Sequence, residues 1–199
     1  MTRRVLAVSA AGLLWVAITG VITAPSAIAP DPLRQQGEAC PVQARSTDGP
    51  AELAQFDFLV GHWDATVTLQ AGGEPKVYKA TWCNSWIASG QVMLQQWREP
   101  GTTGIELRSF NRDTRRWDGR NLYVPTPGTW YDNEAAVVGN EIVVTSHTRG
   151  PDGAAQISRE TYHPVNANRF EIRSEVSADA GKTWTLGRYR LVAIRIKGG

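Results

Sequence analysis

The stretch Phe56-Asp57-Phe58-Leu59-Val60-Gly61-His62-Trp63-Asp64 divides the chain. On its N-terminal side, Asp48 is a candidate N-cap and Pro50 suits a first helical turn. Leu53, Ala54, Phe56 and Phe58 then gather apolar groups on one side, which predicts a short helix or 3₁₀ turn ending near Gly61. On its C-terminal side the period changes. Trp63, Ala65, Val67 and Leu69 alternate with Asp64, Thr66 and Thr68, the pattern of a half-buried strand.

The alternation continues to the C-terminus. Further strands are predicted at 77–88, 92–99, 104–111, 116–124, 129–138, 141–149, 155–163, 169–177 and 183–197, separated by short turns rich in Gly, Pro, Asn and Asp. About ten consecutive strands joined by hairpins would leave two open edges unless the first meets the last. The expected fold is therefore all-β, an up-and-down antiparallel barrel of about ten strands with a short N-terminal helix closing one end. A β-sandwich is the alternative, but no long connection of the Greek-key kind separates the strands. In the second strand Tyr78, Ala80, Trp82, Asn84 and Trp86 share one face and Lys79, Thr81, Cys83 and Ser85 the other. With the aromatic face inward, Cys83 faces outward.

Residues 1–29 have the layout of a secretory signal peptide: Arg3 and Arg4, an apolar run over 5–24, then small residues and prolines. The run also has the length of a bilayer span, so a retained N-terminal anchor stays open as the alternative. Residues 30–49 are polar and proline-containing and read as an extended tail, leaving 50–197 as the barrel domain. The 21 basic residues outnumber the 19 acidic ones only through the two arginines of the export segment. A neutral mature domain argues against an electrostatic grip on nucleic acid or on anionic lipid. Secretion or a periplasmic location is expected. In an oxidising compartment the two cysteines, Cys40 and Cys83, are expected to pair, with the tail reaching the outer wall at Cys83.

The F-x-F-L-x-G-x-W motif at 56–63 resembles the start of lipocalin-like (calycin) barrels, in which a short helix feeds a Gly-x-Trp into the first strand. The span 50–197 is similar to a group of functionally unassigned bacterial exported domains that share this motif and a closing Gly-Lys-Thr-Trp hairpin, here Gly181 to Trp184. That resemblance implies a barrel able to enclose a guest. Nitrobindin-type haem barrels are similar in architecture but need further glycines after the tryptophan and a late histidine. Asp64, Ala65 and Thr66 stand after Trp63 and no histidine follows His163, so no haem or other cofactor is expected. Ser177 to Trp184 also matches the S-x-D-x-G-x-T-W pattern of sialidase-like propellers, but it occurs once and reads as turn chemistry.

Catalytic and metal chemistry leave no clear trace. No G-x-S-x-G elbow, H-E-x-x-H pair or phosphate loop is present. His147 and His163 should lie more than about 20 Å apart on neighbouring strands, too far to share a metal. His62 reads as a structural residue at a barrel end, and Arg112, Arg115 and Arg116 as a solvated turn. Glu160, Glu171 and Glu175 read as cross-strand partners of Arg159, Arg173, Arg188 and Arg190. In the last strand, however, Arg188 and Arg190 share a face with Trp184, Leu186 and Val192, which suggests an inward polar anchor. The leading expectation is a barrel that binds a small apolar or amphipathic molecule, with Trp63, Trp82 and Trp86 as walls and Arg188 or Arg190 as anchor. A small-barrel enzyme using a lumenal carboxylate or His62 is the second, and a filled structural or partner-binding barrel the third.

Overall fold

The computed structural model describes residues 40–70, 73–125, 129–150 and 152–197. The export segment and the tail before Cys40 lie outside the described residues. Ten antiparallel strands run in chain order: β1 (Gly61–Leu69), β2 (Lys76–Ile87), β3 (Val92–Glu99), β4 (Thr102–Asn111), β5 (Arg116–Val124), β6 (Tyr131–Val138), β7 (Glu141–Arg149), β8 (Ala155–Asn166), β9 (Arg169–Ser177) and β10 (Thr185–Arg195). Each pairs with its chain neighbours, and β1 also pairs with β10, so the sheet closes on itself. The all-β up-and-down barrel expected from the alternation is therefore the fold. Closure removes both edges that an open sheet would present to other chains.

A 3₁₀ helix, Ala51–Leu59, precedes β1. Its start differs from expectation. Pro50, in extended backbone, takes the cap position in place of Asp48, no side chain caps the helix, and the first bond runs from Leu53 N to Pro50 O. The helix turns Leu53, Phe56 and Leu59 into one end of the barrel, where all three are fully buried. Phe56 packs edge-on against Trp117 at 4.6 Å, and Trp63 against Phe170 at 4.7 Å. The carbonyl of Leu59 accepts from Trp63 Nε1 at 2.7 Å and from Asn84 Nδ2 at 3.1 Å, fixing the helix to β1 and β2 at once. From β10, on the same face as its partner Trp63, Arg195 donates to Val60 O at 2.6 Å and Phe58 O at 3.2 Å, with its guanidinium 4.1 Å from the Trp63 ring. Gly61 is needed there, because its φ of +125° disfavours other residues and an added Cβ would strike the Arg195 guanidinium.

Cys40 and Cys83 form a disulfide across 43 residues of chain. Where β2 overhangs the start of β1, the segment after Cys40 takes over the hydrogen bonding. Trp86 N donates to Gln43 O at 3.2 Å, and Ser46 N to Gly90 O at 2.9 Å. Gln43 N donates to Ser85 Oγ at 2.9 Å, which explains why Ser85 is buried despite its outward parity. Arg45 pairs with Asp57 of the 3₁₀ helix at 2.9 Å. Among the described residues no helix is long and apolar enough to cross a membrane.

The covalent strap gives the first prediction. Replacing both cysteines by serine should lower unfolding free energy by about 3 to 4 kcal/mol through the larger entropy of the unfolded chain. Urea titration measures it, and a midpoint equal to that of the oxidised wild type would refute it.

Candidate functional site in the polar half of the barrel

The site follows from parity. With Trp63, Ala65 and Val67 inward on β1, the register places Trp82, Gln95, Glu106, Asn121, Asn133, Glu160, Ser174 and Leu191 on the inward face of successive strands. The 3₁₀ end of the lumen is filled by apolar and aromatic side chains. Above that plug comes a polar layer, and above it an aromatic rim of Tyr78, Trp97, Tyr123 and Tyr189.

Arg108 is the central group of the polar layer. Its side chain is fully buried and ion-paired through Nη2 to Glu106 on the same strand. The guanidinium lies 5.0 Å from the Phe56 ring and 6.0 Å from the Tyr162 ring, so it joins plug to polar layer. Asn133 Nδ2 donates to Glu106 Oε1 at 3.0 Å. Gly119 permits that reach, since a Cβ there would meet the Asn133 amide. Across the lumen Tyr162 donates its hydroxyl to Glu160 at 3.4 Å. At the rim Trp97 Nε1 donates to Glu99 at 3.1 Å.

Burial acts to lower the Arg108 guanidinium, but the Glu106 carboxylate, with Tyr162 and Glu160, outweighs it and leaves the group raised and charged. Glu160 moves the other way from most surface acids. Burial pushes it up and Glu106 adds to that, against hydrogen bonds from Tyr189 and Tyr162 and the pull of Arg108. Glu160 keeps part of its surface accessible even though protein surrounds it, as a group does that faces a lumen and not bulk water. The hydroxyls of Tyr162 and Tyr189 are raised chiefly by burial and next by Glu160.

Several polar atoms in this layer are buried without a hydrogen-bond partner: both amide atoms of Gln95, Nε and Nη1 of Arg108, and the side-chain oxygens of Asn121 and Asn133. Buried polar groups normally find partners, so an inward-facing set that does not marks a place shaped for something other than self-packing. Among the described residues no three His, Cys, Asp or Glu side chains are grouped to hold a metal ion.

The residues singled out from sequence fare differently. Trp82 lines the lumen beside Trp97, 5.4 Å away and nearly perpendicular. Trp63 and Trp86 are inward too, but they belong to the plug at 1% and 0% exposure, Trp86 against Trp117. Arg188 and Arg190 are exposed on the outer wall, which corrects the inward anchor. The pairing of Leu191 with Val67 and Ala193 with Ala65 makes the odd residues of β10 inward, and Leu186 on the arginine face is 61% exposed. A register shift between Leu186 and Arg190 adjoins them, held by Ser174 Oγ, which accepts from Tyr189 N at 2.9 Å. Glu160 is corrected as well, from outer ion-pair partner to lumenal acid. Glu175 keeps the expected cross-strand role, pairing with Arg159 at 2.8 Å, whereas Glu171 pairs within β9, with Arg169 at 2.5 Å.

His62 lies outward opposite Cys83, and His163 meets Glu141 at 3.3 Å on the outer wall. The Ser177 hairpin is turn chemistry. Gly181 N donates to Ser177 Oγ at 2.8 Å, Thr183 N donates to Asp179 Oδ1 at 2.9 Å, and the Thr183 contacts hold Asp179 down at about 2. A shallow surface cleft of about 240 Å³ lined by Asp48, Glu52, Phe110 and Arg115 lies at the plugged end, away from the polar layer.

Glu106 and Arg108 were not recognised in the sequence. The alternation of β4 carried a misleading signal, because Ile105 and Leu107 occupy the outer wall while Gly104, Glu106, Arg108 and Phe110 face inward. No protein-family model and no curated protein matches the sequence.

The raised Glu160 yields the second prediction. A carboxyl whose folded value is raised adds stability that is fully present below its unfolded value and is lost as pH rises through the folded one. Glu160→Gln should therefore match the wild type in Tm near pH 4 and gain on it as the pH rises toward 8. A difference independent of pH would show that Glu160 is not desolvated.

Proposed function

We propose that this chain is an exported lipocalin-like carrier that holds a small amphipathic molecule in the polar half of its barrel. The observation that carries the reading is the set of buried, unpartnered polar atoms on Gln95, Arg108, Asn121 and Asn133, facing inward beneath an aromatic rim. Ligand sites are commonly apolar and aromatic enclosures with a few convergent polar groups, and the lumen has that composition. A barrel built only for stability would fill the same layer with aliphatic side chains and would not strand hydrogen-bonding groups there. The disulfide fits an oxidising, exported setting. The lead-in motif at 56–63 supports the lipocalin-like assignment.

The experiment is native purification, solvent extraction and mass spectrometry, together with tryptophan quenching by lipophilic probes. A guest is expected in the extract, with saturable quenching that Trp97→Phe reduces. Neither a guest nor quenching would sink the carrier reading.

A second reading is favoured by Glu160 alone. A carboxyl raised by burial and aimed into a lumen is suited to general acid work on a bound molecule. Chemical conversion of the guest by the wild type, lost in Glu160→Gln, would establish that reading. Recovery of the guest unchanged after prolonged incubation supports carriage.

A further inference from the structure

Resting on the carrier reading, we propose that the guest bears an organic ammonium group and that Glu160 is its counter-ion. The inward charges set the sign. Three carboxylates on the inward parity, Glu99, Glu106 and Glu160, each act electrostatically on the Tyr123 hydroxyl. The inward parity offers three cations: Arg195 at the plugged end, bonded to the carbonyls of Phe58 and Val60, Arg108 in the polar layer, and Lys76, exposed at the outermost position of the rim.

These groups are not equally engaged. Arg108 is committed to Glu106 and lies over the plug, so its charge is answered below the rim. Glu99 accepts from Trp97 Nε1 and interacts with the Tyr78 hydroxyl. Among the described residues Glu160 accepts hydrogen bonds from the hydroxyls of Tyr162 and Tyr189. It is the carboxyl that a second cation would satisfy. Glu106 and Arg108 answer each other's charge, with Nε and Nη1 of Arg108 left without a hydrogen-bond partner, so the acids a guest anion would meet are Glu99 and Glu160.

The walls suit the same charge. Tyr78, Trp97, Tyr123 and Tyr189 surround the approach, and aromatic faces attract alkylammonium ions more strongly when the site is shielded from water. The unpartnered inward oxygens of Asn121 and Asn133 are acceptors, and an ammonium brings N–H donors and no acceptor. Gln95, 1% exposed and opposite Glu106, has a free amide oxygen to add. The grouping is too open for a bare metal ion, as no three ligating side chains come together among the described residues. An ammonium beside Glu160 would also reverse the effect of burial on that carboxyl and return it to the ionised form.

The test compares octylammonium, octanol and octanoate at pH 7, three probes of one apolar size and three head charges, by tryptophan fluorescence and calorimetry on the disulfide-bonded protein. Octylammonium should bind at least about tenfold more tightly than octanol, and octanoate most weakly. Glu160→Gln should remove that preference, while Glu160→Asp and the outer-wall control Glu175→Gln retain it. Equal or tighter binding of octanol or octanoate by the wild type would overturn the ammonium assignment and leave the carrier reading standing. A preference undiminished in Glu160→Gln would overturn the counter-ion role. Failure of all three probes to bind, with no guest extracted, would overturn both readings. The wild-type ranking decides the assignment even where a variant does not fold.

Discussion

The carbonyl of Leu59 takes two hydrogen bonds, from the indole of Trp63 and the amide of Asn84. Much follows from that junction. It binds the end of the 3₁₀ helix to β1 and β2 with both donors inside the barrel, so it decides which parity of each strand is inward. In an antiparallel ladder, side chains of paired residues share a face, and a choice made at β1 passes to every neighbour. Closure then tests the choice, because β10 must agree with both β9 and β1. Shifting β1 by one residue would bring Asp64 and Thr66 inside and expel Trp63. The positions of Glu106 and Arg108 on β4 and of Glu160 on β8, each three strand pairings from β1 in opposite directions round the barrel, thus depend on two bonds at the plugged end.

That dependence also explains how a barrel tolerates an arginine and two carboxylates within it. Buried ion pairs are weak sources of stability, since desolvation offsets most of the attraction. Here stability has another origin, in the lower half: Trp63, Trp86, Trp117, Phe56 and Phe170 are fully buried and meet at angles suited to edge-on ring contacts. Arg195 clamps the helix carbonyls at the barrel end, and the disulfide secures the segment covering the end of β2. With the plug supplying cohesion, the upper lumen is free to carry groups that cost stability. The barrel is thus divided into an apolar end that supplies cohesion and a polar end that costs stability.

The fold was legible because its signals are local. Alternation, turn residues and the change of period at Gly61 each need only a few neighbours to be read, and strand ends shifted by only a few residues where loops absorbed the difference. The plug was legible too, since Phe56, Phe58 and Leu59 have no strand to belong to. The polar layer was not. Its alternation is present in β4, but both faces of that strand carry substantial side chains, and the hydrophobic rule favours putting Ile105 and Leu107 inside. They are instead half-exposed on the outer wall, where Leu107 pairs with Leu94 and Ile105 with Leu122. Burial preference decides parity only when one face is clearly apolar. In β10 the same rule chose Leu186 and Val192 as the inner face, and closure against Val67 and Ala65 overruled it.

A better guide lay in companions along the strand. Glu160 shares its face with Tyr162, and Glu106 and Arg108 share theirs with Phe110, whereas Glu171 and Glu175 alternate with Phe170, Ile172 and Val176. An acid on the same parity as a large aromatic group is inside, and an acid opposite one is outside. That distinction separates Glu160 from the two glutamates it most resembles in sequence. It assigns Arg188 and Arg190 to the surface as well, because the aromatic residue of β10, Tyr189, stands on the other face. In a closed barrel the aromatic residues report the inside more faithfully than the aliphatic ones do. Their area is best used where curvature brings many side chains together, while Leu, Ile and Val serve the outer wall of a twisted sheet by covering their cross-strand neighbours.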